Sequence, residues 1–524
     1  MHFSSQRQAR SCLCTTPFFA APACTVHLRC SRKPNVTPPL RRCLPALLLL
    51  CTPLLSTQLL SAQSVRVVVT TANLSQTLAP QPELHFSQDG SKDNAAAGPV
   101  IEVDDTQHMQ TMDGFGAAMT EGSAWLLEEK LPPALRQASM TQLFSPTTGA
   151  GLSFVRLPLG ATDLSRSQYT YDDVPMGQSD PALTHFSLAH DEADVLPAMR
   201  QALQLNPAIT VMATPWSAPA WMKSAPTKHP DAAPTLDGGQ LRDDKLGVYA
   251  GYLTHSVQAF EKAGVPVRFL SVQNEPLNET RNYPGALMPA AQQARLIGDY
   301  LGPDLRRAGL HTQVLAYDHN WDHPEYPISV MSDPSAAPFI AGAALHCYGG
   351  DVTGQDAVQA RFPGKGIWLT ECSGGLWQRE GPLFSTAHLL IDATRHGAKA
   401  VALWAIALDT EHNPHSGGCD KCRGLVTVDL KATPTTVAYN GDFYALAHAS
   451  MFVRPGAVHI ASTTQGRDGL ESVAFLNRDG SLALLVLNNR SAPATFTVRW
   501  HRSTLEATLP ATSLATYTWM PKSN

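Results

Sequence analysis

The chain has 524 residues, enough for more than one domain, and its 44% apolar and 16% charged content is that of a folded globular protein rather than a disordered one. Its net charge is −5, but residues 1–62 hold seven Lys/Arg and no Asp/Glu, so the remainder has 32 basic against 44 acidic residues, a net charge of −12. That balance speaks against nucleic acid as a partner, and the lack of a short-period repeat speaks against a solenoid or propeller.

Residues 1–62 read as a leader. Arg41 and Arg42 precede an apolar stretch from Leu44 to Leu60, and Ala62 stands before a plausible cleavage point. A membrane anchor is the alternative, but Pro45, Thr52, Pro53, Ser56 and Gln58 interrupt the run, and a span needs about 20 mostly apolar residues. The expected product is an exported protein with no stable membrane span after cleavage. Residues 63–99 open with "VRVVVTTANLSQTLAP", an edge strand and a turn, followed by a polar loop.

Residues 100–433 alternate short β-like runs with amphipathic helical stretches. The strand candidates are "QTMDGFGAAM", "LSFVRLPLG", "AITVMATPWS", "VRFLSVQN", "TQVLAYDH", "AGAALHCYG", "GIWLTE" and "AVALWAIAL". Helical patterns fall between them, two of them ending on Gly264 and Gly309 as C-caps would. Eight strands with helical crossovers predict a (β/α)₈ TIM barrel, of class α/β. An open doubly wound sheet is the alternative, but "DGFGAAMTEG" lacks the spacing of a dinucleotide turn. Residues 434–524 alternate apolar and polar positions and carry an Asp-Gly turn in "NRDGS", which predicts an antiparallel β-sandwich joined by the N-terminal strand.

In such a barrel the C-terminal strand ends line the active site. Two strands end on glutamate: Glu275 after the fourth and Glu371 after the seventh. Two carboxylates facing each other across a barrel mouth are the apparatus of glycoside hydrolysis, one as proton donor and one as nucleophile or base. Either glutamate alone would read as a solvated loop residue. Aromatic neighbours strengthen the pair: Trp216 and Trp221 follow the third strand, His346 and Tyr348 the sixth, and Trp404 lies on the eighth. Flat aromatic faces at a barrel mouth suit a sugar ring.

These motifs resemble glycoside hydrolase family 30, which includes the lysosomal glucocerebrosidases. The resemblance rests on "DGFGAAMTEGSAWLL", "FVRLPLGATDLSRSQYTYDD", "ATPWSAPAWMK", "QNEP", "HCYGG", "LTECSGG" and the trailing sandwich. It implies a retaining β-glycosidase with Glu275 as general acid/base and Glu371 as nucleophile. Asn274 would hold the sugar 2-hydroxyl, Trp216 and Trp404 would frame the sugar, and Glu121 would bind its hydroxyls. His346 and Tyr348 would orient the surroundings of the nucleophile. Arg156 would pair with carboxylates there, keeping Glu371 ionised while a less polar setting raises Glu275. The substrate would be a carbohydrate or glycolipid, with no cofactor and no metal.

The sequence departs from the glucocerebrosidases where Glu121 replaces an aspartate, where Trp404-Ala405 replaces Trp-Asn, and in the loop after "GGLWQRE". These changes bring β-1,6-glucans, galactans and fucosides into range beside glucosylceramide. The motifs do not assign the sugar, exo or endo action, or an oligomeric state.

Two readings from other classes remain. A carbohydrate-binding barrel without catalysis would lack one of the two glutamates, and both are present. A metal-dependent barrel hydrolase would need ligands at strand ends, for which Asp318, His319 and His323 are the hint. Four cysteines follow the leader. Cys419 and Cys422 either bridge or join His412 and His415 around zinc, in the spacing H-x₂-H-x₃-C-x₂-C. Cys347 and Cys372 read as core thiols or a further bridge, turned by strand alternation toward the helices.

Overall fold

The computed structural model describes residues 63–87, 98–467 and 469–521; the expected leader lies outside them. A closed barrel of eight parallel strands dominates. Its strands are β1 (Gly114–Ala118), β2 (Phe154–Leu159), β3 (Thr210–Pro215), β4 (Phe269–Ser271), β5 (Gln313–Asn320), β6 (Ile340–His346), β7 (Gly366–Glu371) and β8 (Ala398–Leu403). Each pairs in parallel with its sequence neighbours, and β8 closes on β1 through Ala400 opposite Gly114. All eight predicted strands are therefore present, in the predicted order.

The strand sequences explain the closure. β2 and β3 are buried at every position, because helices cover one side and the barrel interior the other. Within the interior, Phe154, Met212, Phe269, Leu315, Ala344, Trp368 and Ala400 form a closed apolar layer. The outward set, including Val155, Val211, Leu270 and Leu369, packs on the helices. Helix Leu246–Lys262 ends as its sequence suggests: Gly264 takes φ +87°, a left-handed turn that costs a β-carbon-free residue little.

The second layer is a ten-stranded sheet with its own core of Val65, Ile101, Leu484, Phe496, Tyr517 and Trp519. Strand Gln63–Thr71 joins it by antiparallel pairing with Ser513–Trp519. Asp479-Gly480 turns the hairpin between Leu470–Leu476 and Leu482–Asn488, with Gly480 at φ +86°. Two details differ from the sequence expectation. Strand Val100–Thr111 belongs to this sheet rather than to the barrel, and it pairs in parallel with Ala494–Trp500, so the sheet is not wholly antiparallel. Helix Gly441–Ser450, beyond the boundary expected at 433, contributes Phe443 and Leu446 to the barrel core. A boundary placed on periodicity alone cannot tell which core a strand or helix will join.

No helix among the described residues is long and apolar enough to cross a membrane.

Candidate active site

Above the apolar layer the barrel interior turns polar. Arg156, two positions after Phe154 on β2, is fully buried. Its Nη2 donates to Asp318 Oδ2 at 2.9 Å and to Asn274 Oδ1 at 2.7 Å, and its Nη1 donates to Glu371 Oε2. Asp318 also accepts from Thr214 at 2.8 Å, from Thr370 at 2.7 Å and from His346 Nε2 at 3.1 Å. Arg156 and Asp318 together thus tie the ends of β2, β3, β5, β6 and β7 to each other and to Asn274 beyond β4. Further hydrogen bonds offset the cost of burying an ion pair of this kind, and here Asp318 has four partners.

The backbone is strained at the same place. Tyr317, Asp318 and Glu275 take φ of +80°, +70° and +47°, conformations that cost non-glycine residues about 1–3 kcal/mol each. The Glu275 N–H donates to Asp318 O at 2.9 Å, so the two strained segments hold each other. This turn swings Glu275 off the end of β4 and over the barrel mouth.

Glu275 and Glu371 face each other there. One carboxylate oxygen of each, with a ring nitrogen of His346, lies within 4.8 Å of the others. Both oxygens of Glu371 are occupied by donors, Oε2 by Arg156 and Oε1 by the Tyr348 hydroxyl at 2.8 Å. Glu275 has one fixed donor, Asn278 Nδ2 at 2.9 Å, and its other oxygen lies 3.5 Å from His346 Nδ1 and 3.9 Å from His319 Nε2.

The electrostatics run against the expectation for both glutamates. Burial pushes Glu275 up, but His346 and Asn278 outweigh it and hold the carboxyl at about 2. Burial opposes charge on His346 too, yet Glu371, Asp318 and Glu275 raise it to about 9. Glu371 is raised by burial and by Glu275, against the pull of His346 and Arg156. The surroundings of Glu275 are therefore more polar than the sequence suggested. The cause is His346, which the motif places near the nucleophile and the fold places against the other glutamate as well.

A cleft of about 330 Å³ opens over the pair, lined by Asn274, Glu275, Glu371, Tyr348, Trp216 and Trp404, among others. Trp216 and Trp404 are buried and stacked, with ring centroids 4.8 Å apart. Six of the nine residues picked from the sequence thus share one cavity. Arg156 and His346 stand behind it. Glu121 does not reach it: its carboxylate is taken by the Arg166 backbone N–H at 2.9 Å and by the Arg166 guanidinium.

Asp163, which the sequence reading passed over, lines the cleft instead. Burial and the Glu371 charge raise it to about 7, against the Cys419 N–H and Trp404. Only its place within the quoted "FVRLPLGATDLSRSQYTYDD" motif could have drawn attention to it. Tyr283 and Trp377 also line the cleft and were not picked.

Both cysteine pairs are bridged, Cys347–Cys372 and Cys419–Cys422. Cys419 and Cys422 border the cleft, and their sulfurs are committed to each other rather than to a metal. The strand-end ligand set suggested by Asp318, His319 and His323 does not assemble. Asp318 serves Arg156, His319 faces Glu275, and His323 is exposed and bonded to Glu325. A larger cavity of about 1010 Å³, lined by Asp113, Arg268, Gln313 and Trp368, lies at the opposite, N-terminal strand ends and holds no facing glutamates.

Comparison with known proteins agrees with this geometry. The glycosyl hydrolase family 30 TIM-barrel domain matches residues 112–453, and the family 30 beta sandwich domain matches residues 456–517. The chain is 34% identical over 402 residues to an endo-1,6-beta-D-glucanase of Neurospora crassa, covering 74% of this chain and 81% of that one. It is 28% identical over 446 residues to the lysosomal acid glucosylceramidase of Mus musculus, covering 80% and 84%. A solved endo-beta1,6-glucanase superposes with a TM-score of 0.79 at 31% identity, covering 88% of this chain and all of that one.

Proposed function

The chain belongs to glycosyl hydrolase family 30, and from that premise we propose that it is a retaining, endo-acting β-1,6-glucanase with Glu371 as nucleophile and Glu275 as general acid/base. The observation that carries the mechanism is the approach of the two carboxylates to within 4.8 Å. Retaining enzymes hold their carboxyls about 5–5.5 Å apart, whereas inverting ones leave about 6.5–9.5 Å for a water.

Hydrogen bonding divides the roles. Glu371 accepts from Arg156 and from the Tyr348 hydroxyl, so both its oxygens are aimed for attack on the anomeric carbon. Glu275 gives its proton to the glycosidic oxygen as that bond breaks. Arrival of the sugar strips water from Glu275, the direction that favours its protonated form. Once Glu371 is esterified its negative charge is gone. The Glu275 pKa then falls, and Glu275 takes a proton from the water that releases the sugar. Arg156 fixes Asn274 Oδ1, which leaves the Asn274 amide N–H₂ as a donor toward the sugar 2-hydroxyl. Trp216 and Trp404 frame the ring, and Asp163 supplies the carboxylate for its outer hydroxyls in place of Glu121.

The pH profile tests the electrostatic part. His346→Gln removes the positive charge that holds Glu275 ionised. Its pKa then rises, the protonated acid persists to higher pH, and the alkaline limb of kcat/KM moves up by about one unit. A limb that stays in place or moves down contradicts this role.

For the substrate, the support is likeness to endo-1,6-β-glucanases at 34% and 31% identity. Glucosylceramide hydrolysis is the second reading, favoured by the likeness to the mouse enzyme. The purified protein is expected to release a ladder of oligosaccharides from β-1,6-glucan at a rate at least tenfold above that on glucosylceramide. Glucose as the sole early product would mean exo action, and the reverse preference would overturn the assignment. We read the protein as exported, since two disulfides suit an oxidising compartment.

A further inference from the structure

The cleft has one closed end and one open end. The closed end is the buried pair Trp216 and Trp404 with Asp163 beside them. At the open rim Trp377 is 51% exposed, an unusual position for so large an apolar ring. Its indole rests directly on Gly375: a β-carbon at that position would lie 2.0 Å from the ring. Gly375 is in turn held firmly. It pairs with Cys422, and its carbonyl accepts from Arg423 Nη1 at 3.3 Å. Arg423 also donates to Gln378 at 2.7 Å and is anchored on Asp442 at 2.6 Å. One face of the indole is thus seated on backbone, and its uncovered surface borders the cleft that holds Glu275 and Glu371.

A flat apolar ring, rigidly backed and left bare beside a catalytic pair, has a use if a second flat ring lies on it. The glycone belongs at the closed end, so the group that departs must leave through the open one. We propose that Trp377 is the platform on which the leaving-group sugar stacks, so that the protein grips a chain of pyranoses across the bond it cuts. The inference rests on the retaining reading above.

The test uses the reverse of departure. In a retaining enzyme the sugar esterified to Glu371 is taken either by water or by an added sugar bound where the leaving group sat. In the second case the acceptor hydroxyl oxygen bonds to the anomeric carbon as the bond to Glu371 breaks, and the hydroxyl proton passes to Glu275. With dinitrophenyl β-glucoside as donor and β-1,6-linked glucobiose as acceptor, the ratio of trisaccharide to free glucose reads acceptor binding independently of overall rate. Trp377→Ala is expected to lower this ratio at least tenfold, and Trp377→Phe, which keeps a flat face, less than threefold. Gly375→Ala, which lifts the indole off its seat, should lower it as well. An unchanged ratio in Trp377→Ala overturns the inference and leaves the retaining reading standing. A wild-type protein that turns over the donor but transfers to no acceptor also overturns it. A protein with no turnover of any β-glucoside overturns the reading beneath it, and the inference falls with it.

Discussion

Glu371→Ala is expected to lose turnover on the order of 10⁵-fold, and azide is expected to restore part of it by forming an α-glycosyl azide. The variant removes the nucleophile but leaves Glu275 able to protonate a leaving group. The space vacated by the carboxylate admits azide to the same face of the sugar, so a single displacement inverts the anomeric carbon. Glu275→Ala should behave differently with an activated aryl glycoside. Glu371 still forms its ester without acid assistance, and azide then attacks from the opposite side. Two displacements give a β-glycosyl azide of retained configuration. The anomeric form of the two products, read by NMR, assigns the roles of both residues. The opposite pattern exchanges them, and rescue of neither variant removes the covalent mechanism.

Arg156→Met should cost about 3–5 kcal/mol of stability in denaturant unfolding, because it leaves charged partners buried with their cation gone. Asp318 is the residue most affected. Burial would push its carboxyl up, yet Arg156, His346 and Thr370 hold it well below the ordinary carboxylate range. A carboxyl depressed in the folded state contributes stability above its unfolded pKa of about 3.9 and loses it as pH falls toward the folded value. The difference between wild type and variant is therefore largest near neutrality and narrows below about pH 4. Activity should fall at least 100-fold as well, since Glu371 and Asn274 lose the donor that aims them. Arg156→Lys should rescue little, because one ammonium cannot reproduce the fork that reaches three side chains. A loss below 1 kcal/mol for Arg156→Met would mean that the network is not what joins these strand ends.

Much of this site could be read along the chain because the barrel presents its strand ends in sequence order. Glu371 is the last residue of β7, and Glu275 follows β4 by a few positions, so counting strands was enough to pair them. The same logic found Trp216, Tyr348 and Trp404. It did not pick Asp163, and Glu121, which the family resemblance implied, is absent from the cleft lining. Both are acidic residues that follow early strands, Glu121 at the start of helix Glu121–Trp125 and Asp163 in a loop, and what separates them is a third residue. Arg166 captures Glu121, while Asp163 is turned into the cleft against Cys419. A side-chain pairing 45 positions long leaves no periodic trace.

The sequence by itself determined the eight strands, the two-layer plan and the identity of the facing glutamates, because strand alternation and helix amphipathicity are local properties that burial writes into every turn. Only the tertiary structure decided which carboxylate meets which cation. The ordering of Glu275, Glu371 and Asp163 and the pairing of Cys347 with Cys372 depend on contacts between segments that follow different strands. Electrostatic energies vary steeply over a few ångströms in a buried site, so the order of residues along the chain cannot fix them.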